Sequence, residues 1–405
     1  MKYCADKRCY WGSMGILFIY MLLLSHFFNI SGWRFSIGPL LLDIFSALFF
    51  LYNIAIPFKQ SQTYRNKRFY TLSLFLIFWP FLTILIKQIY TNDPINSEVQ
   101  QTFMMCLAFS SFFYLKRMNK TERECLLLLL IFALLTLCIQ WWQLLNLEDR
   151  YFGFNEDGGS GNRNGISRLY VGSPLITMAV LYFSWQELMY AKKIYKIIYT
   201  FFVVALVISV YLTLTRQYMV SVACILLLSI IFVRNKKARL WVLLFIILFV
   251  LAFFYYYDVL FENIVDLSKT ESFSTEIRRK ALPFFVNEIF SDPVVCIFGH
   301  GHTEEMVRIS NLKGYWAVDL GILGEIYHYG IVWGIAYFYV IFKIWKERGK
   351  LPPYIIMFFL STLIHSPMVA AYVTGLNALL WSIYLYIVSL HLSNSNLKLV
   401  VSDKK

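Results

Sequence analysis

A guanidinium presents a planar fork of donors that meets two oxygens of a phosphate at once, and this sequence carries such groups in three polar stretches. Arg216 sits in TLTRQ, in a very tight hairpin between two apolar runs. Arg278 and Arg279 are adjacent in STEIRRKALPFFVNEIFSDP, and Arg150, Arg163 and Arg168 punctuate NLEDRYFGFNEDGGSGNRNGISRLY. Three arginines converging near a membrane would suit a diphosphate headgroup. Each also has a plainer reading. Arg216 can snorkel to lipid headgroups. Adjacent residues on a helix point about 100° apart, so Arg278 and Arg279 cannot both face one partner in the same way. A segment as polar as 146–170 is ordinarily just hydrated. His300 and His302 in CIFGHGHTEE titrate near neutral pH and suit a general base or proton carrier, unless they are merely exposed. Asp319 and Glu325 lie six residues apart on an apolar run. Asp319 would remain at the interface, where it could also cap the span. Glu325 would lie nearly two turns deeper, where an ionisable group is expensive and marks function. Asp43, Glu187 and His365 are more isolated and read as helix-packing or interface groups.

Other chemistries have no sequence support. There is no GxxxxGK[ST], and no GxGxxG after a strand. There is no DxD and no His/Cys set with ligand spacing outside the short GHGH turn, so neither metal nor cofactor is expected. The seven cysteines lack such spacing too and read as small apolar residues without a disulfide framework. A chain with its polar groups outside and no nucleotide site either transfers a group from a preactivated lipid-linked donor or transports.

The elements that must position these residues are membrane helices. With 59% apolar and 15% charged residues and a mean hydropathy of +0.59, the chain has too little polar surface for a water-soluble globule. A net charge of +13 would suggest nucleic acid in a soluble protein, but here the basic residues fall in short clusters between apolar runs, so no nucleic-acid partner is expected. A span needs about twenty helical residues. Runs of that kind lie near 11–30, 35–57, 69–90, 101–115, 125–145, 171–190, 197–214, 217–233, 240–260, 317–342, 353–372 and 375–392. The first has no small-residue cleavage site and reads as an anchor. With the N-terminus inside, about two thirds of the 37 Lys and Arg residues fall on inside segments. The expected fold is all-α: one integral membrane domain over 1–405, about twelve spans and both termini cytoplasmic. The polar sequence then collects outside, in a loop at 146–170 and a large loop at 261–316. Within the latter, Ile277, Ala281, Phe285 and Ile289 recur every four residues. They predict an amphipathic helix lying against the membrane, interrupted at Pro283 and stopped by Asp292-Pro293.

The stretch from Arg278 through Gly334 resembles the shared core of the O-antigen polymerase and ligase superfamily. There an Arg-bearing amphipathic loop leads into a Pro-led glycine turn, here PVVCIFGHG. A span follows that starts with a polar residue eleven positions before a glycine, here DLGILGEIYHYG from Asp319 to Gly330. TLTRQ is similar to the Ser/Thr-rich arginine hairpin of these proteins. The resemblance implies a membrane glycosyltransferase of the C-type architecture in the bacterial cytoplasmic (inner) membrane, acting on its external or periplasmic side. Its substrates would be undecaprenyl-diphosphate-linked oligosaccharides, and a chain-length regulator protein is a partner it allows. Ligases of the superfamily carry a His where this chain has Asp319-Leu320, which favours a polymerase of O-antigen or capsule repeat units. On that reading Arg216 and Arg278, with Arg279 second, hold the diphosphates, and Asp319 or His302 serves the acceptor hydroxyl. Arg150, Arg163, Arg168, His300 and Glu325 are secondary candidates. The alternatives are an O-antigen ligase or a polysaccharide flippase or transporter. A transporter would show inverted repeats and charges along a central path, and no internal repeat stands out.

Overall fold

The computed structural model describes residues 2–25, 27, 29–30, 33–34, 38–55, 67–91, 98–146, 169, 172–213, 215–232, 239–240, 243–244, 247, 272–301, 313–367 and 375–402. Among them the regular structure is helical apart from a two-residue antiparallel ladder, β1 (Asn29–Ile30) with β2 (Trp33–Arg34). The first helices are α1 (Lys2–Leu24), α2 (Gly38–Ala55), α3 (Lys67–Thr91), α4 (Glu98–Phe109), α5 (Ser111–Arg117) and α6 (Glu122–Leu145). They are followed by α7 (Pro174–Tyr190), α8 (Lys193–Leu212), α9 (Arg216–Phe232), α10 (Ser272–Ile289) and α11 (Pro293–Phe298). A 3-10 turn (Ala317–Leu320) precedes α12 (Ile322–Tyr329), α13 (Ile331–Lys346), α14 (Pro353–His365) and α15 (Gly375–Ser402).

Four stretches among the described residues are long and apolar enough to cross a membrane: Phe69–Tyr90, Glu122–Leu145, Tyr195–Leu212 and Gly375–Ser393. Gly12–Leu24, Leu40–Ile54, Arg216–Ile231 and Pro353–His365 are apolar but shorter. Large side chains stand bare along their outward faces, at Leu40, Ile44, Leu48 and Leu51 of α2 and at Ile197, Phe201, Val204 and Ile208 of α8. Continuous apolar stripes of this kind are untenable in water and natural in lipid, and they mark the chain as a membrane protein.

From Leu376 to Ser389 α15 is buried on every side, with Trp381, Ile383, Tyr384, Leu385 and Ile387 fully enclosed. It forms an axis against which α4 and α5 pack. From α14, Phe358 stacks on Tyr384 with ring centroids 4.0 Å apart, and Phe359 meets Trp381 edge-on at 4.8 Å. Polar groups in such a core must bond within the protein. Gln140 Nε2 donates to the carbonyls of Leu169 (2.9 Å) and Ser209 (3.0 Å), fixing the exit of the 146–170 segment to α6 and α8.

Several sequence expectations change. The run at 101–115 is divided at Ser110 between α4 and α5. Most of the run at 240–260 and most of 146–170 lie outside the described residues. Pro283 does not interrupt α10, which continues through it. Its missing donor and ring clash cost about 3 kcal/mol, which burial of Phe285 and Ile289, at about 1.5–3 kcal/mol each, offsets. Asp292 does end the run. Its Oδ1 accepts from the amides of Val294 (2.7 Å) and Val295 (3.3 Å) and starts α11. The apolar stripe of α10 does not lie on lipid: Ala281, Phe285 and Ile289 are buried against Ala317, Leu320 and Tyr327. The run at 317–342 is also not one helix, and its break organises the site.

Candidate functional site

Gly330, at φ +82°, stops α12 after eight residues and lets α13 restart at once. A helix broken inside a membrane protein leaves its last carbonyls bare unless protein groups meet them. Here the glycine turn after α11 does so. His300 N donates to Tyr327 O at 2.8 Å, and Gly301 N to His328 O at 2.9 Å. His328 Nδ1 donates back to Gly301 O at 2.9 Å. The two backbones touch so closely that only glycine fits: a Cβ on Gly330 would lie 1.9 Å from Ile297 O, and one on Gly299 2.4 Å from His328 O. The segments PVVCIFGHG and DLGILGEIYHYG are thus clamped turn on turn.

α3 completes the clamp, a contribution that sequence reading misses. Trp79 Nε1 donates to the third carbonyl, Tyr329 O, at 2.7 Å, and its ring stacks on Phe298 at 5.3 Å. Tyr90 Oη donates to Asp292 Oδ2 at 3.2 Å. Lys87 lies alongside Gly301, its Cγ 3.7 Å from where a Cβ there would stand. The signal in the sequence is the placement of Lys87 and Tyr90 at the end of an apolar run. Nothing local says which turn they meet.

The charged candidates take distinct positions. Arg278 Nη2 lies 3.7 Å from Asp319 Oδ1, with the two side chains 26% and 50% exposed. This is a loose pair and not a bidentate clamp. Arg278 Nε is buried and makes no hydrogen bond among the described residues. Arg279, one position on, is exposed, as a 100° step requires. Asp319 lies in the 3-10 turn before α12, whose N-cap is Gly321, so it does not cap the helix. Glu325 is buried and accepts from Trp333 Nε1 at 3.3 Å. Arg216 opens α9 shortly after α8 ends at Leu212, as expected of a tight hairpin, and Thr213 Oγ1 donates to Val210 O at 2.7 Å in the last turn of α8. α9 packs along α14, which ends at a buried His365 set edge-on to Tyr218 at 5.4 Å. The next carbonyl, Ser366 O, accepts from Ile322 N at 2.7 Å, so α14 links the Arg216 helix to α12. No hydrogen bond or ion pair among the described residues joins Arg216 to Arg278 or Asp319. His302, Arg150, Arg163 and Arg168 lie outside the described residues. Among the described residues no group of three His, Cys, Asp or Glu could hold a metal.

His300 is built into the clamp. Its ring stacks on Tyr327 at 4.5 Å, and Nε2 donates to Glu288 O at 3.3 Å. Burial pushes its pKa down to about 4, with the nearby Lys87 cation adding to the shift. The folded protein therefore holds it neutral, and unfolding takes up a proton below the ordinary value of 6.5. Stability is full above that value, falls as pH drops toward about 4, and levels off below it. We expect His300 to contribute a loss of up to ~3 kcal/mol across this window. Thermal unfolding measured against pH should show a smaller decline in His300→Gln, and identical declines would refute the buried neutral ring.

Compared with known proteins, the chain matches no family model, no curated protein and no solved structure.

Proposed function

We propose that this chain is a metal-independent membrane glycosyltransferase, a polymerase of O-antigen or capsule repeat units. It transfers a growing glycan from undecaprenyl diphosphate to the non-reducing end of another lipid-linked repeat unit. The observation that carries the reading is the meeting of the two motif segments: the GHG turn locks onto the YHYG turn, and Arg278 of α10 pairs loosely with Asp319 of the 3-10 turn that leads into α12. In this reading about twelve spans with cytoplasmic termini hold the site at the external face of the bacterial cytoplasmic membrane.

The acceptor hydroxyl attacks the anomeric carbon of the donor, the bond from that carbon to the diphosphate oxygen breaks, and Asp319 or His302 takes the hydroxyl proton. Arg216 and Arg278, with Arg279 second, offset the charge that develops on the departing diphosphate. Support for Arg216 comes from its place in the first turn of α9. A cation is mildly unfavourable at that positive helix end, whereas an anion bound there is favoured by the side chain and the helix dipole together.

The test is the surface polysaccharide of a deletion strain, resolved by length. Single repeat units without longer chains are expected. No units at all would point to a flippase, and long chains left on the lipid carrier to a ligase; either overturns the proposal. Arg216→Ala supplied to that strain should reach normal abundance and lower extension about 100-fold or more.

A further inference from the structure

Between α1 and α6 lies a cavity of about 410 Å³, walled by Met14, Gly15, Phe18, Leu127, Leu128 and Ile131 and closed at one end by Arg123 and Glu124. Open space lies beside Gly15, where a Cβ would meet nothing within 4 Å. Leu127 and Ile131 are 40% and 42% exposed, so the cavity opens sideways onto the lipid-facing surface of α6. From Arg123 to Ile131 the helix rises about 12 Å, most of the depth of one leaflet at about 15 Å.

The polar end distinguishes this groove from an ordinary helix crevice. Glu124 is committed to Lys120 at 3.0 Å and to its capping box with Thr121. Lys116 lies over the Tyr70 ring at 5.0 Å, and Arg117 donates to Asn53 O at 3.0 Å while covering Tyr52. Of the described basic side chains on α5 and α6 at this end, Arg123 is exposed and makes no hydrogen bond or ion pair among the described residues. A guanidinium left over at headgroup level, above an apolar slot one leaflet deep, matches a phosphate joined to an acyl chain.

We propose that this groove binds one acyl chain of an anionic phospholipid, with the lipid phosphate held by Arg123. The inference rests on the membrane class of the chain and is independent of the glycosyl-transfer reading.

The full chain, purified in detergent and offered phosphatidylglycerol or phosphatidylcholine, would be examined by native mass spectrometry. The wild type should retain one phosphatidylglycerol per chain in preference to phosphatidylcholine. Arg123→Gln should lower phosphatidylglycerol retention about tenfold and erase the preference. Gly15→Leu, which fills the slot, should lower retention of both lipids, whereas Gly15→Ala should leave it near the wild-type level. Arg123 is exposed and outside the core, so its variant decides the matter even where Gly15→Leu fails to fold. Equal retention of the two lipids by the wild type, or unchanged retention in Arg123→Gln, overturns the proposal. So does a dimer that Gly15→Leu dissolves, because the groove would then belong to a second copy.

Discussion

Gly330→Ala is expected to abolish glycan extension and to destabilise the fold by about 4 kcal/mol or more, the scale of mutations that break a packed backbone contact. Two costs combine. At φ +82° and ψ +168° Gly330 occupies a conformation essentially reserved for glycine, which costs an L side chain about 1–3 kcal/mol. The new methyl would also lie 1.9 Å from Ile297 O, and no rotamer relieves a clash between a Cβ and backbone. The turns must then part, which releases the carbonyls of Tyr327 and His328 from their amide donors in a buried setting. Gly314→Ala separates the two costs. Its φ is +68°, but a Cβ there would only touch Ile277 Cδ1 at 3.9 Å, so it should lose about 1–2 kcal/mol and keep extension. Thermal unfolding in detergent, followed by tryptophan fluorescence, measures both variants. If Gly330→Ala costs no more than Gly314→Ala, the clamp is not what holds the broken helix.

The parts of this arrangement that can be read from sequence are those with a local cause. The Ala281, Phe285, Ile289 stripe is the buried face of α10 because a four-residue period is a geometric property of the helix. TLTRQ is a tight hairpin because two apolar runs leave no residues for a longer loop. The Asp292-Pro293 stop works through side-chain capping of the next amides. What the stripe packs against is another matter. Amphipathicity says that one face avoids water but is silent on lipid versus protein, so the pattern alone puts α10 on the membrane when its partner is α12. Pro283 reads as a break because its cost is local, whereas the burial that outweighs it is tertiary. The break at Gly330 is hidden by an apolar run long enough for an uninterrupted span. It becomes favourable only once the GHG turn and Trp79, distant in sequence, supply donors for the freed carbonyls. For the same reason the Arg278–Asp319 pair and the approach of Lys87 to Gly301 have no signature in the sequence.

Asp319→Asn is expected to leave folding intact and lower extension 100-fold or more, the range lost with a general base. The pair with Arg278 is loose at 3.7 Å and half exposed, so its removal should cost no more than about 1 kcal/mol. Helix capping does not confound the result, because Gly321 and not Asp319 stands at the N-cap of α12. A rival role remains, in which the carboxylate serves only to aim Arg278 at a diphosphate. The two roles separate on comparison with the arginine. Under the aiming role, Asp319→Asn still offers an amide oxygen that accepts from the guanidinium and retains much of the activity, while Arg278→Ala loses it. Under the base role, Asp319→Asn is as damaging as Arg278→Ala. Arg278→Lys should rescue poorly in either case, since an ammonium keeps the charge but lacks the two-pronged contact with phosphate. Normal-length polymer from Asp319→Asn would reject the aspartate as base and move that role to His302.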